Sequence, residues 1–170
     1  MRIAGSGRDV AMWGFRRQWV PVISTLVASL LDTLPVVVTT PLVPDFAFLV
    51  LLSWRLLRPE MWPAYYALPL GLFNDLVAGN PLGQSMALWT IVFLACDLLD
   101  SRSGWRDYWL DWLIASAAIV LNIYGGWRIA RWMGSGMDFE VLGPQLLLSI
   151  FSYPIVARLV VSLDRWRLSR

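Results

Sequence analysis

GLFNDLVAGNPLG, residues 71–83, places Asp75 inside an apolar run just ahead of a Gly-Asn-Pro turn. Gly79 suits the position that follows a helix, Asn80 suits an N-cap, and Pro81 suits a first helical turn. The stretch therefore predicts two helices joined by a tight hairpin. A carboxylate near the end of the first helix opposes the dipole of that helix, but it is stabilised if it faces the free N–H groups of the second.

The composition around this hairpin indicates a lipid environment. Hydrophobic residues make up 58% of the 170 residues, and charged residues make up only 15%. Soluble domains contain about 25% charged residues, and one water-soluble core of this size cannot bury so much apolar surface. Net charge is only +2, and the basic residues, all arginine, are scattered along the chain. This pattern does not predict a nucleic-acid-binding face.

Some residue types are rare or absent, and this excludes many kinds of catalytic and metal-binding site. The chain has no histidine and a single cysteine, Cys96, so zinc sites and histidine-dependent triads lack their ligands and bases. No phosphate-binding glycine loop is present. The sequence therefore predicts no catalytic residue, no metal site and no cofactor, and we expect the protein not to be an enzyme.

Six apolar segments predict an all-α membrane protein, a six-helix transmembrane bundle. A bilayer core of about 30 Å needs about 20 apolar residues per helix, and the segments are Trp19–Thr40, Asp45–Leu57, Met61–Ala78, Pro81–Asp100, Tyr108–Trp127 and Phe139–Leu163. The second would rise only about 20 Å. It could gain length from residues 41–44, thin the bilayer, or be sheltered by its neighbours. Gly125-Gly126 is expected to end the fifth segment.

The arginines predict the orientation. If the N-terminus is cytoplasmic and all six segments span, Arg128 and Arg131 are the only ones of the 14 basic residues that lie outside. Such a bias is typical of cytoplasmic loops. The expected organisation is a cytoplasmic tail at 1–18, a six-span domain at 19–163 and a second cytoplasmic tail at 164–170.

The third segment carries a stripe of small residues, because Ala67, Gly71, Asp75 and Gly79 recur every fourth position. Small side chains let a second helix approach closely in a membrane, so Asp75 is expected to point into a helix contact. That carboxylate could simply lock the hairpin, or it could form the wall of a pocket or docking groove. Asp45 follows Pro44 at the start of the second segment, where it could cap the helix or share a role with Asp75.

A second group of acids surrounds the fourth loop. Such a group is usually a solvated loop with weak surface ion pairs, although it could also be a docking patch for a cytoplasmic partner. Its members are Asp97, Asp100, Arg102, Arg106, Asp107 and Asp111.

Two stretches, together with the six-span length, resemble the MreD family of rod-shape-determining proteins. They are PDFAFLVLLSWRLLRP at 44–59 and GLFNDLVAGNPLG at 71–83. The resemblance implies a non-catalytic inner-membrane subunit of the bacterial elongation machinery. Such a protein would bind the membrane-anchored MreC, act alongside MreB filaments, and associate with the glycosyltransferase and transpeptidase that build lateral peptidoglycan.

The resemblance also implies a fold shared with the substrate-binding subunits of energy-coupling-factor vitamin transporters, which have six helices around an outward-facing pocket. The residues then expected to line the pocket or to meet a partner are Pro44, Asp45, Gly71, Asp75, Gly79, Asn80, Pro81 and Gly83. Whether that pocket holds a ligand or a partner's helix stays open. A transporter subunit that captures a small molecule is the alternative function.

Overall fold

The computed structural model describes residues 7–31, 43–100, 108–136 and 138–168, and all regular structure in these ranges is helical. The prediction of six helices is confirmed. Short 3₁₀ turns at Pro59–Met61 and Ala64–Tyr66 connect the second helix to the third, and another at Phe139–Leu142 precedes the sixth. The helices are α1 (Gly7–Leu31), α2 (Phe46–Leu57), α3 (Ala67–Ala78), α4 (Gln84–Asp100), α5 (Tyr108–Trp132) and α6 (Gly143–Leu168).

Five helices form a closed ring around α2. Neighbours around the ring are α1 and α3, α3 and α4, α4 and α5, α5 and α6, and α6 and α1. The central helix contacts α1, α4, α5 and α6. Nearly every α2 side chain is buried, including Phe48, Leu52 and Trp54. The short second segment is therefore sheltered by its neighbours. The helix begins at Phe46 with Asp45 as its N-cap, so Val43 and Pro44 do not lengthen it, and residues 41–42 lie outside the described ranges.

The outer surface of the ring is apolar. Tyr108–Trp132 and the stretch Phe139–Leu168 are long and apolar enough to cross a membrane by length and composition, and most of each lies outside the core. Leu113, Phe151 and Ile155 are each more than 60% exposed. Water disfavours such large contiguous apolar surfaces, so these faces support a lipid environment.

Several helices begin at other residues than the predicted apolar segments. The first helix already begins at Gly7 rather than near Trp19, and residues 32–40 of that segment lie outside the described ranges. The third begins at Ala67 rather than Met61. Pro59 and Pro63 explain that delay, since proline lacks an N–H and disfavours a helical conformation in the residue before it.

The glycine pair does not end the fifth helix, and that prediction is wrong. The helix continues through Gly125 and Gly126 to Trp132. A Cβ at position 125 would lie 2.4 Å from the Leu88 side chain of α4. The glycine thus permits close packing of α4 against α5, and turn formation is not its role.

Candidate functional site

The hairpin of α3 and α4 is held by the carboxylate of Asp75, which is 1% exposed. Its oxygens accept hydrogen bonds from the backbone N–H of Gly83 at 2.9 Å and of Ser85 at 2.8 Å, with Met86 N at 3.5 Å. Ser85 and Met86 belong to the first turn of α4 and Gly83 directly precedes that helix, so these N–H groups have no carbonyl partner within it. The prediction that Asp75 faces the start of the following helix is confirmed.

The turn itself differs in detail from the prediction. Gly79 ends α3 in a left-handed conformation with φ 71°, as expected. Asn80 is not an N-cap and Pro81 is not in a first helical turn, because α4 begins only at Gln84. Gly83, with φ 93°, shapes the turn before it. A carboxylate from the preceding helix thus takes over the role that an N-cap side chain would have played.

Close packing of the hairpin depends on Gly71. A Cβ there would lie 2.6 Å from both Cα and N of Met86, atoms of the α4 backbone. This is the contact that the stripe of small residues predicted. The two helices touch within one turn of the bonds to Asp75, so the packing and the hydrogen bonds form one unit.

Beside this unit, Asn74 has an unsatisfied buried atom. The side chain is 2% exposed, and its Nδ2 donates to Ser85 Oγ at 3.2 Å. Its Oδ1 has no hydrogen-bond partner among the described residues. A buried acceptor left unpaired costs about 1–3 kcal/mol, so a donor that reached this oxygen would gain free energy.

A cavity of about 430 Å³ opens next to Asn74. It lies at the hairpin end of the bundle, by which we mean the end where α3 joins α4. Its walls come from the end of α3, from the segments that lead into α2 and α4, from the second half of α5 and from the start of α6. The lining includes Pro44, Asp45, Asn74, Asn80, Pro81, Gln84, Asn122, Trp127 and Gln145.

Asp45 joins two walls of this cavity. Its Oδ1 accepts from Phe48 N at 2.8 Å and so caps α2, as predicted. Its Oδ2 accepts from Asn122 Nδ2 of α5 at 3.2 Å. On the opposite wall, Gln145 Nε2 donates to Val43 O at 3.0 Å. These bonds fix the mouth of the cavity across three helices.

The predicted site residues therefore divide into two groups. Pro44, Asp45, Asn80 and Pro81 line the cavity. Gly71, Asp75, Gly79 and Gly83 do not line it and instead hold the hairpin that forms one wall. Sequence reasoning missed Asn74, Asn122 and Gln145 as lining residues. An asparagine beside the buried aspartate was the available signal for the first of them.

The cavity contains several polar side chains but no positively charged one. Its polar side chains are mainly amides, each with both donor and acceptor atoms, and its only carboxylate, Asp45, already accepts two hydrogen bonds. No arginine lines it. In the part of the chain that the structure describes, no three His, Cys, Asp or Glu side chains cluster as metal ligands would. The arrangement suits a neutral partner that both donates and accepts hydrogen bonds.

The opposite end of α2 carries a buried arginine, Arg55, whose side chain is 1% exposed. Its Nη2 lies 2.5 Å from Asp97 Oδ1, and its Nη1 lies 2.9 Å from Asp100 Oδ2. Asp97 and Asp100, in the last turn of α4, therefore bind a buried cation, so these pairs are not between two surface side chains as expected. Arg102, Arg106 and Asp107 lie outside the described residues.

A second ion cluster ties the C-terminal turns of α6 to α2. Asp164 Oδ2 lies 2.8 Å from Arg58 Nη2, and Asp164 Oδ1 lies 2.6 Å from Arg167 Nε. The hydrogen bond to Asp164 and its charge raise the pKa of Arg58. The Arg167 guanidinium also lies 5.2 Å from the Trp54 ring centre. Residues 164 and 167, expected in a tail, are thus helical and buried. We call this end of the bundle the arginine end.

Comparison with known proteins adds one finding. The family model described as rod shape-determining protein MreD matches residues 14–161, nearly the whole chain. No curated protein and no solved structure matches the chain. The similarity to the vitamin-transporter subunits therefore stays a prediction.

Proposed function

Because the chain belongs to the MreD family, whose members are cell-envelope membrane proteins with a role in rod-shape determination, we propose a specific role for it. It acts as a non-catalytic multi-pass subunit of the elongation complex in the bacterial inner membrane. It binds an MreC-type membrane-anchored protein and thereby supports the glycosyltransferase and transpeptidase of lateral peptidoglycan synthesis. Its link to MreB-type filaments is indirect.

The proposed topology has six spans with both termini in the cytoplasm. The positions of the charges support it, since Arg55 and Arg58 at the end of α2 and Arg167 near the end of α6 gather at the arginine end. Arg128 and Arg131 lie in the part of α5 whose other residues, including Trp127 and Ala130, line the hairpin-end cavity. Cytoplasmic loops are enriched in arginine. The hairpin end with its cavity then faces outward.

The observation that carries the proposed partner binding is the cavity with the unpaired Oδ1 of Asn74. A backbone N–H or a hydroxyl group of a partner would satisfy this buried atom once the Asn74 side chain turned toward the cavity, and the amides of Asn122 and Gln145 could donate to the partner's carbonyl groups. Ion pairs would play little part, because the cavity lacks arginine. The occupant is therefore a neutral segment of the extracytoplasmic part of MreC.

Capture of co-expressed MreC in detergent tests this proposal. We expect Asn74→Leu to weaken capture about tenfold, because one hydrogen bond to a buried atom is worth 1–3 kcal/mol and each 1.4 kcal/mol is tenfold. The control is Thr90→Val in the same hairpin, whose hydroxyl bonds to its own helix at Met86 O, 2.6 Å away. It should capture MreC normally.

Two outcomes would contradict the proposal. Equal capture by Asn74→Leu and the control would remove the cavity from the interface. Failure of the unsubstituted protein to capture MreC, together with a rise in melting temperature on adding a vitamin, would favour the transporter alternative.

A further inference from the structure

A groove of about 310 Å³ lies between the start of α5 and the second half of α6, toward the arginine end. Its polar wall consists of Arg158, Ser162 and Arg165, with Tyr108 across from them, and Ala157 and Val161 contribute apolar surface. We propose that this groove binds the headgroup of an anionic phospholipid. The inference rests on the proposed crossing of the bilayer by α6, and it does not depend on MreC.

Among the residues that the structure describes, no acid lines the groove beside its two arginines. Both side chains are exposed, and in the described residues neither Arg158 nor Arg165 forms an ion pair. The other described arginines of this end behave differently, because Arg55, Arg58 and Arg167 all bind aspartates. Asp97, Asp100 and Asp164 are thus bound to arginines, whereas Arg158 and Arg165 face a groove whose lining includes no carboxylate. A ligand with a negative charge would supply the counterion for Arg158 and Arg165.

The spacing of the side chains suits a headgroup at the membrane surface. Arg158 and Arg165 are seven residues apart, which is two helical turns and about 10 Å along one face. Ser162 lies between them, so a hydroxyl donor and two guanidinium groups line the same strip. Guanidinium groups bind phosphate oxygens in a bidentate manner. Arg158 can extend toward the headgroup level while its stem stays in the apolar layer.

The apolar side of the groove distinguishes a lipid from a soluble anion. Ala157 and Val161 lie on the same part of α6 as the arginines. The lipid-facing side chains of Ile155 and Leu159 are 63% and 60% exposed. An acyl chain could follow this surface while its phosphate meets the arginines. Basic grooves between helices on the cytoplasmic side are typical binding sites for anionic lipid headgroups. Inorganic phosphate would gain nothing from the apolar part.

Native mass spectrometry of the purified, delipidated full chain tests the proposal with phosphatidylglycerol and with phosphatidylcholine of the same acyl chains. We expect tighter binding of phosphatidylglycerol, and a loss of about thirtyfold in its affinity for R158Q/R165Q, because one arginine near an anionic surface contributes about fivefold. Phosphatidylcholine binding should not change. R158K/R165K, which keeps both charges, should retain most of the affinity.

The matched control is R128Q/R131Q, which removes the same charge from the other end of α5 and should bind phosphatidylglycerol normally. Equal losses in both double variants, or no preference of the unsubstituted protein for the anionic lipid, would overturn the proposal. Displacement of the lipid by millimolar inorganic phosphate would also overturn it. If circular dichroism shows that R158Q/R165Q is misfolded, the single variants decide, with a loss of about fivefold expected in each.

Discussion

Replacing Asp75 with asparagine should destabilise the hairpin while hardly changing its shape. The carboxylate accepts short hydrogen bonds from two backbone N–H groups, at 2.8 and 2.9 Å. The amide oxygen of asparagine can accept only one of them well, and its NH₂ group would face the other donor. One hydrogen bond to a charged acceptor is worth about 1.5–3 kcal/mol. Burying a neutral amide costs less than burying a carboxylate, so we expect a net loss of about 2 kcal/mol.

A thermal melt in detergent, read by size-exclusion chromatography, measures this loss. For a chain of this length, about 2 kcal/mol corresponds to a melting temperature roughly 4–8 °C lower. Asp75→Ala, which leaves both donors unpaired, should lower the melting temperature further and should also reduce the folded yield. The matched control is Asp138→Asn, an exposed position where the same change of charge should have little effect. If Asp75→Asn has the same melting temperature as the control, the carboxylate does not hold the hairpin. Normal stability with lost MreC capture would instead make Asp75 a docking residue.

Two further substitutions test the packing and the buried charge. Gly71→Ala would place a Cβ 2.6 Å from the backbone of α4, and we expect thermal melts to show a stability loss of about 1–3 kcal/mol. The control is Gly143→Ala, where the added Cβ meets nothing within 4 Å, and it should melt like the unsubstituted protein. Equal stability of the two variants would refute the close contact at Gly71. Arg55→Gln should cost about 2–3 kcal/mol in detergent, less than a fully buried pair, because one aspartate partner is 47% exposed. Arg165→Gln removes the same charge at an exposed site and should stay within about 0.5 kcal/mol, so a similar loss in both variants would contradict the role of burial.

Sequence reasoning reached the hairpin because its signals are local. Small residues at every fourth position, a glycine after the helix and a proline in the turn act within 13 residues, and the helical period alone places Asp75 on the small-residue face. It did not predict that Arg55 pairs with Asp97 and Asp100, because those partners are 42 and 45 positions away along the chain. An arginine within an apolar run was the signal that a buried counterion existed. It carried no information on which acid would supply it.

The sequence by itself determined the class of environment, the number of helices and the position of the tight turn, since these follow from composition, from apolar segment lengths and from residues near one another. Only the tertiary structure decided that the short helix α2 lies at the centre, that Gly125 of α5 lies against Leu88, and that Asn74 has a buried unpaired oxygen. The physical reason is that burial and pairing depend on what other helices bring to a side chain. A periodic pattern identifies the face that is buried, but the neighbour it meets is set by how the five outer helices close around α2.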